Sequence, residues 1–262
     1  MSLPLDLISV LLGWAYVVCW GVSLYPPVLL HRRMKSVEGM SIDFAFLNFF
    51  GCLAYMLSVG MLRYSTTVRL EYQLRHKNPP LVRFNDVVYG VHSLVLVAAV
   101  LFQFYCSGYR RSSGQHISRG VKVFSLVMVM AGCALLLHAW EISTTRRHYE
   151  LVDVANIFGT VKIWLSAVKY IPQVLYNYKR KSTRGFSKTT PILDVLGAYF
   201  SVAQLALDAY LAGDITDMYK HPVKLLLSIV TLVFSLAFLI QHSIYRERTI
   251  PFHHEKNYEA EI

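Results

Sequence analysis

Four ionisable side chains stand inside otherwise apolar runs of this sequence: Asp86, Lys162, Lys169 and Asp194. A charge in hydrocarbon is costly, so residues of this kind face a protein interior or a wet path, where they hold ions, solutes or protons. Lys162 and Lys169 are seven residues apart, close to two helical turns, and therefore project from one helix face. Two ammonium groups on one face can hold a carboxylate-bearing solute, or each can neutralise an aspartate in a structural bridge. Burial and a neighbouring cation act on a carboxylate in opposite directions, so Asp194 near Lys169 is suited to exchanging a proton as access alternates. Asp86 is a second protonatable candidate, or a first-turn carboxylate that complements a helix dipole. Tyr16 and Trp20, one turn apart, offer an aromatic wall for a solute or plain packing. No nucleophile–base pair, phosphate loop or His/Cys cluster with metal spacing occurs. The chemistry on offer is binding and proton exchange, with no enzyme activity, no metal and no cofactor beyond protons as a coupling ion.

These side chains need a scaffold of membrane helices. Of 262 residues, 55% are hydrophobic and 16% charged, too apolar a balance for a soluble domain. Runs of about 20 apolar residues can each cross a bilayer. Seven are expected: 4–29, 41–62, 84–107, 121–140, 152–177, 190–212 and 222–244. The first lacks a basic leader and is expected to be a retained span. Cys19, Cys52, Cys106 and Cys133 fall within spans as small apolar residues, without disulfides. The net charge of +10 reads as an orientation signal rather than a nucleic-acid footprint. Lys and Arg are commoner after spans 1, 3 and 5 and in the tail, which predicts a lumenal N-terminus and a cytosolic C-terminus. One loop runs against that pattern, with Arg63, Arg69, Arg75, Lys77 and Arg83.

The chain also repeats itself. Shifted by 146 residues, "PPVLLHRRMKSVEGMSIDFAFLNFFG" from Pro26 overlies "PQVLYNYKRKSTRGFSKTTPILDVLG" from Pro172 without a gap, with nine identities in 26 columns. They include Lys35/Lys181, Gly39/Gly185, Ser41/Ser187 and Gly51/Gly197. A shift of 138 pairs span 3 with span 7. The expected fold is all-α, with two parallel three-helix repeats joined by a linking helix (3+1+3). The expected domains are 1–108, linking helix 109–148, 149–245 and the tail 246–262. Transporters with parallel repeats bind solutes between the halves near the membrane midplane. Asn48 and Asp194 occupy matching positions and should approach one another across the pseudo-symmetry axis; Lys224 matches Asp86 and is expected with it at the solute site. Proline inside a helix removes a hydrogen bond, so Pro26–Pro27 and Pro172–Gln173 are expected hinges, with Gln173 bonding backbone freed by the bend.

The blocks "SLYPPVLLHRRMKSVEGMSIDFAFLN", "FNDVVYGVH", "KYIPQVLYNYKRKSTRGFS" and "FLIQHSIYRER", in that order, resemble the PQ-loop proteins, and within them the cystinosin family of lysosomal or vacuolar proton-coupled cystine exporters. The first repeat departs from the pattern by carrying Pro27 where glutamine is usual. The resemblance implies that L-cystine leaves the lumen with protons by alternating access. It implies that Asp194 and Asp86 serve proton coupling and substrate, and that Asn48, Lys162, Lys169, Tyr170 and Thr190 lie around the solute; Asn177 is expected among them. Thr190 stands for a family asparagine, and Ser235 for a family acidic residue.

A SWEET-like facilitator of another small solute or a PQ-loop-like cargo receptor without transport are the alternative expectations. Buried charges argue against a neutral sugar, and a trafficking role would leave Asp194 dispensable. Asp43 is expected to serve a helix dipole, His92 and His138 to be packing hydrogen bonds, and Asp208, Asp214 and Asp217 to be solvated. A lysosomal, vacuolar or endosomal membrane is implied, although Tyr258 with Glu261 makes no Tyr-x-x-apolar sorting signal.

Overall fold

Hydrocarbon offers no partner for backbone N–H and C=O groups, so a chain this apolar closes its own bonds as helices. The computed structural model describes residues 3–76, 80, 82, 84–113, 115–145, 151–211, 213 and 222–245. Among them are ten α-helices: α1 (Leu3–Val22), α2 (Tyr25–Met34), α3 (Ile42–Tyr64), α4 (Thr66–His76), α5 (Phe84–Tyr105), α6 (Arg119–Thr145), α7 (Leu151–Val168), α8 (Tyr170–Arg180), α9 (Thr189–Leu211) and α10 (Pro222–Ile244). Six described segments are long and apolar enough to cross a membrane, with α1–α2 and α7–α8 each counting as one. Helix α6 lies where the fourth span is expected and turns Met130 (64% exposed) and Leu137 (71% exposed) outward, a surface suited to lipid. The chain is a multi-pass membrane protein. All four cysteines are free; Cys106 lies just past the end of α5.

The two broken spans differ from the sequence expectation in where they break. Each first segment ends one turn upstream of its proline: α1 at Val22 before Pro26, and α7 at Val168 before Pro172. Proline both lacks an N–H and crowds the carbonyl four residues back, and those carbonyls belong to Val22 and Val168. The prolines themselves sit in the first turn of α2 and α8, where no N–H is needed. Leu24 (φ −80, ψ −20) and Lys169 (φ −56, ψ −29) keep helical dihedrals, so the axis is interrupted without unwinding. The break in the second repeat therefore falls at Lys169 rather than at Pro172–Gln173.

Packing follows the repeat. Helix α1 packs on α9 and α7 on α3, each pair crossing between repeats, while α3–α5 and α9–α10 pack within them. The glycine identities explain how closely these helices approach. A Cβ on Gly197 would lie 2.6 Å from the Trp20 indole of α1, and one on Gly51 would lie 3.4 Å from Leu165 Cβ of α7. The helix ends match as well: Lys35 (φ 51) and Lys181 (φ 49) close α2 and α8 in the left-handed conformation.

Helix α4 was not expected. Its Val68 is fully buried against Val152 and Ala155 of α7, its Glu71 Oε2 accepts the Val152 N–H at 2.8 Å, and its Arg75 pairs with Asp153 at 2.5 and 3.1 Å. Part of the contrary basic loop is thus a helix docked on the N-terminus of α7; Lys77 and Arg83 lie outside the described residues.

Candidate functional site

The break in α7–α8 presents Lys169 to the space between the repeats. Its Nζ donates to Asn48 Oδ1 of α3 at 2.9 Å and lies 4.8 Å from the Tyr170 ring and 5.7 Å from that of Phe44. Tyr170 stacks on Phe234 of α10, with centroids 5.1 Å apart. In the first repeat the matching break is lined by Ser23. The Ser23 carbonyl accepts the Thr190 hydroxyl at 3.1 Å, and the Ser23 hydroxyl donates to Trp20 O at 2.9 Å. Polar side chains thus cover backbone acceptors beside a proline break in a setting without bulk water.

Around these residues is a cavity of about 280 Å³. Lys162, Lys169, Asn48, Asp86, Asp194, Tyr170, Thr190, Tyr16 and Trp20 all line it. Lys162 and Lys169 share one face, as their spacing predicts, and Lys162 Nζ lies 6.0 Å from the Tyr55 ring. Tyr16 and Trp20 make an edge-to-face pair at 5.2 Å, and Trp20 Nε1 is buried without a hydrogen-bond partner among the described residues. Asp194 of α9 is 9% exposed, as is Asn48, and both reach the cavity from matching positions of the two repeats. Asp86 both occupies the first turn of α5 and lines the cavity, so the two expectations for it are compatible. Two ammoniums, two carboxylates and an amide on aromatic walls can hold both ends of a zwitterion, since each charged end of such a solute meets an opposite charge.

Toward α2 and α8 the cavity ends on Met40, Phe186 and Phe238, all buried. Beyond them the loops after α2 and α8 meet: a Cβ on Gly39 would lie 2.1 Å from Gly185 C, so the two backbones touch. Gln173 fastens this end. It accepts the Ser41 N–H at 2.6 Å, donates to Gly39 O at 3.1 Å and donates to Asn177 Oδ1 at 2.8 Å. The expectation that it bonds backbone freed by its own bend gives way to a clamp on the other repeat. The repeats brace their third helices in the same manner. His31 Nδ1 meets Gln103 Oε1 at 3.0 Å and Gln103 donates to Val28 O at 2.9 Å. Likewise Asn177 donates to Gln241 Oε1 at 2.9 Å and Gln241 to Val174 O at 3.0 Å.

Several expected residues take other places. Asn177 is fully buried in that brace and does not line the cavity, because its amide is committed to Gln173 and Gln241. The side chain of Lys224 lies outside the described residues, as do that of His138, Asp214, Asp217 and the tail with Tyr258 and Glu261. Asp208 is in α9, exposed as expected, and in addition accepts a hydrogen bond from Ser9 of α1, a tie between repeats. Asp43 is in the first turn of α3 and also accepts the Ser118 N–H at 2.9 Å. His92 bonds Tyr25 OH at 2.8 Å. Ser235 is fully buried. Sequence reasoning missed Ser23, Phe44 and Phe186 as cavity residues. The 146-residue shift places Ser23 opposite Lys169 and Phe44 opposite Thr190, so for these two the repeat held the signal; Phe186 falls opposite Met40, which is not among the expected site residues.

The PQ loop repeat family model matches residues 8–67 and 154–213, two stretches offset by the same 146 residues. The chain is 33% identical over 240 residues to a cystinosin homolog of Dictyostelium discoideum, covering 92% of this chain and 82% of that one. It is 30% identical over 254 residues to a cystine transporter of Saccharomyces cerevisiae, covering 91% and 94%. A cystinosin homolog of Caenorhabditis elegans is 30% identical over 89% of this chain, which spans 56% of that longer relative. Among solved structures, a eukaryotic SWEET transporter superposes with a TM-score of 0.52 over 92% of this chain and 98% of its own, at 15% identity.

Proposed function

The chain belongs to the cystinosin family of PQ-loop repeat proteins, and from that membership we propose that it is a secondary transporter moving cystine together with protons from a lysosomal or vacuolar lumen to the cytosol. The observation that carries the reading is the cavity between the repeats, where Lys169 bonds Asn48 while Asp194, at the matching position of the other repeat, lines the same space. Cystine has an ammonium and a carboxylate at each end. In this reading Lys162 and Lys169 face its carboxylates, Asp86 and Asp194 face its ammoniums, and the Tyr16–Trp20 pair and Tyr170 wall the disulfide-bearing middle.

Coupling follows if Asp194 must be protonated for the cystine-loaded carrier to cross and must have released that proton before the empty carrier returns. With cystine occupying the ammoniums, a neutral Asp194 is cheaper to carry through a closing, dry gate, whereas in the empty carrier a charged Asp194 is balanced by the Lys169 ammonium beside it. Alternating access follows from two near-equivalent halves whose breaks bend without unwinding. The membrane orientation proposed from the loop charges puts the Gly39–Gly185 end on the cytosolic side. A neutral sugar, as in a SWEET-like facilitator, would leave two lysines and two aspartates without a task. Purified protein in liposomes tests the reading: uptake of labelled cystine should rise when the lumenal-equivalent side is acid, and should discharge the pH gradient. Equal uptake with and without the gradient contradicts coupling, and no cystine uptake at all contradicts the reading.

A further inference from the structure

The end of the molecule where α2, α5 and α8 finish and α6 and α9 begin is strongly cationic. Residues 31–43, 105–122 and 177–188 hold twelve Lys and Arg against two carboxylates, Glu38 and Asp43, and Asp43 accepts the Ser118 N–H. At this end a surface pocket of about 400 Å³ is lined, among the described residues, by Met34, Lys35, Arg110 and Arg184. Three cations from three separate segments thus face one space, and the backbone holds them there. Arg110 N–H donates to Lys35 O at 2.9 Å and Val37 N–H to Arg110 O at 3.0 Å, a parallel bridge between Ser36 and Arg110 that seats Arg110 beside Lys35. Lys35 Nζ lies 5.4 Å from the Tyr109 ring. Arg184 comes from the other repeat, where its N–H bonds Ser182 Oγ at 3.2 Å and its carbonyl accepts Arg180 Nη1 at 3.3 Å.

We infer that this pocket binds a phosphate group, dissolved or carried by a lipid headgroup, and that the bound phosphate bridges the two repeats. Like charges gathered in one pocket repel, and an anion among them replaces repulsion by attraction. Guanidiniums meet a phosphate with paired N–H donors, and an ammonium adds a point charge. Glu38 pairs with Arg110 at 3.0 Å, and the matching place of the second repeat carries Arg184. Base in place of acid there leaves Lys35, Arg110, Arg184 and Glu38 with a net positive charge. The pocket lies just past Met34 and Tyr105, the ends of α2 and α5, at the depth where apolar spans meet headgroups, within reach of both sources of phosphate. The Gly39–Gly185 contact runs alongside, since a Cβ on Gly39 would lie 2.3 Å from Arg184 O. Lys35 and Arg110 stand on one side of that contact and Arg184 on the other. A phosphate held by all three favours the state in which the loops touch.

The test involves no cystine, so failure of this site and failure of the transport reading are separate results. The purified full chain is placed in phosphatidylcholine nanodiscs with and without phosphatidylinositol phosphate, whose retention is read by native mass spectrometry. Inorganic phosphate and inositol trisphosphate, titrated onto the protein in phosphatidylcholine alone, are the dissolved probes. Arg184→Gln and Lys35→Asn should each weaken binding at least about fivefold; asparagine suits the left-handed helix end at Lys35. Arg184→Lys should recover part of the loss. Arg33→Gln removes an equal charge from the exposed surface of α2 outside the pocket and should change binding less than about twofold. Retention of the lipid alone makes this a headgroup site, and binding of the dissolved probes as well makes it a site for phosphate from either source. No binding of any probe, or equal losses in Arg33→Gln and Arg184→Gln, overturns the proposal. In hydrogen exchange, saturating phosphatidylinositol phosphate or inositol trisphosphate should slow the Gly39 and Gly185 amides in the wild type and leave them unchanged in Arg184→Gln. Binding without that slowing overturns the bridge.

Discussion

Lys169 is where local chemistry and the proposed function meet most closely. A proline one turn ahead interrupts the helix at this residue, and the interruption aims its ammonium at Asn48 and the cavity rather than at lipid. Lys169→Met should weaken cystine binding by about 2–5 kcal/mol, the cost of leaving a buried charged partner unpaired. Lys169→Arg should recover only part of it, since a planar fork does not fit a site built around a point charge; direct binding to purified protein measures both. Binding equal to wild type in both variants would make Lys169 structural. The two matched glycines give a sharper contrast. Gly197→Ala must push Trp20 aside, because its Cβ would meet the indole at 2.6 Å, whereas Gly51→Ala meets Leu165 at an ordinary 3.4 Å. The first should cost about 1–3 kcal/mol in thermal stability and displace the aromatic wall, and the second should be close to neutral. Equal losses in a melting experiment would show that Trp20 has room to move.

At the scale of elements, the proposed cycle makes the broken helices the working parts. Pro172→Ala would supply an N–H for the Val168 carbonyl and let α7 and α8 join. One restored bond contributes about 1 kcal/mol, enough to favour the straighter state several-fold. Turnover should fall about fivefold with cystine affinity changed less than turnover, read as uptake rate against equilibrium binding; unchanged rates would reduce the break to a static kink. Much of this was legible in sequence. Composition and run length located the spans, the 146-residue shift located the duplication, and charges in apolar runs located Asp86, Lys162, Lys169 and Asp194. Other features depend on what a side chain meets across the molecule. The break appears one turn before the proline because the crowded atom is the carbonyl four residues back. Gln173 reaches the opposite repeat, and Asn177 is drawn into a brace by Gln241, a residue 64 positions later. Helix α4 escaped notice because its propensity is weak and its docking on α7 is tertiary.

For the whole molecule, two unequal copies of one unit enclose a site that neither could form alone. The halves share their cross-packing, their left-handed helix ends and their glutamine braces, the near-equivalence on which the proposed alternation rests. They differ where chemistry is needed: Asn48 against Asp194, Ser23 against Lys169, Phe44 against Thr190. In the proposed cycle the symmetry of the frame would permit alternation and the asymmetry of the lining would give it direction, since only one of the matched pair Asn48 and Asp194 can carry a proton. Replacing Asp194 by Asn makes the pair alike in charge while keeping shape and hydrogen-bonding capacity. In liposomes loaded with unlabelled cystine, Asp194→Asn should still exchange labelled for unlabelled cystine at a measurable rate, and should lose the uphill uptake that an acid donor side drives in the wild type. Acid-driven accumulation of cystine by Asp194→Asn at the wild-type level would contradict the account.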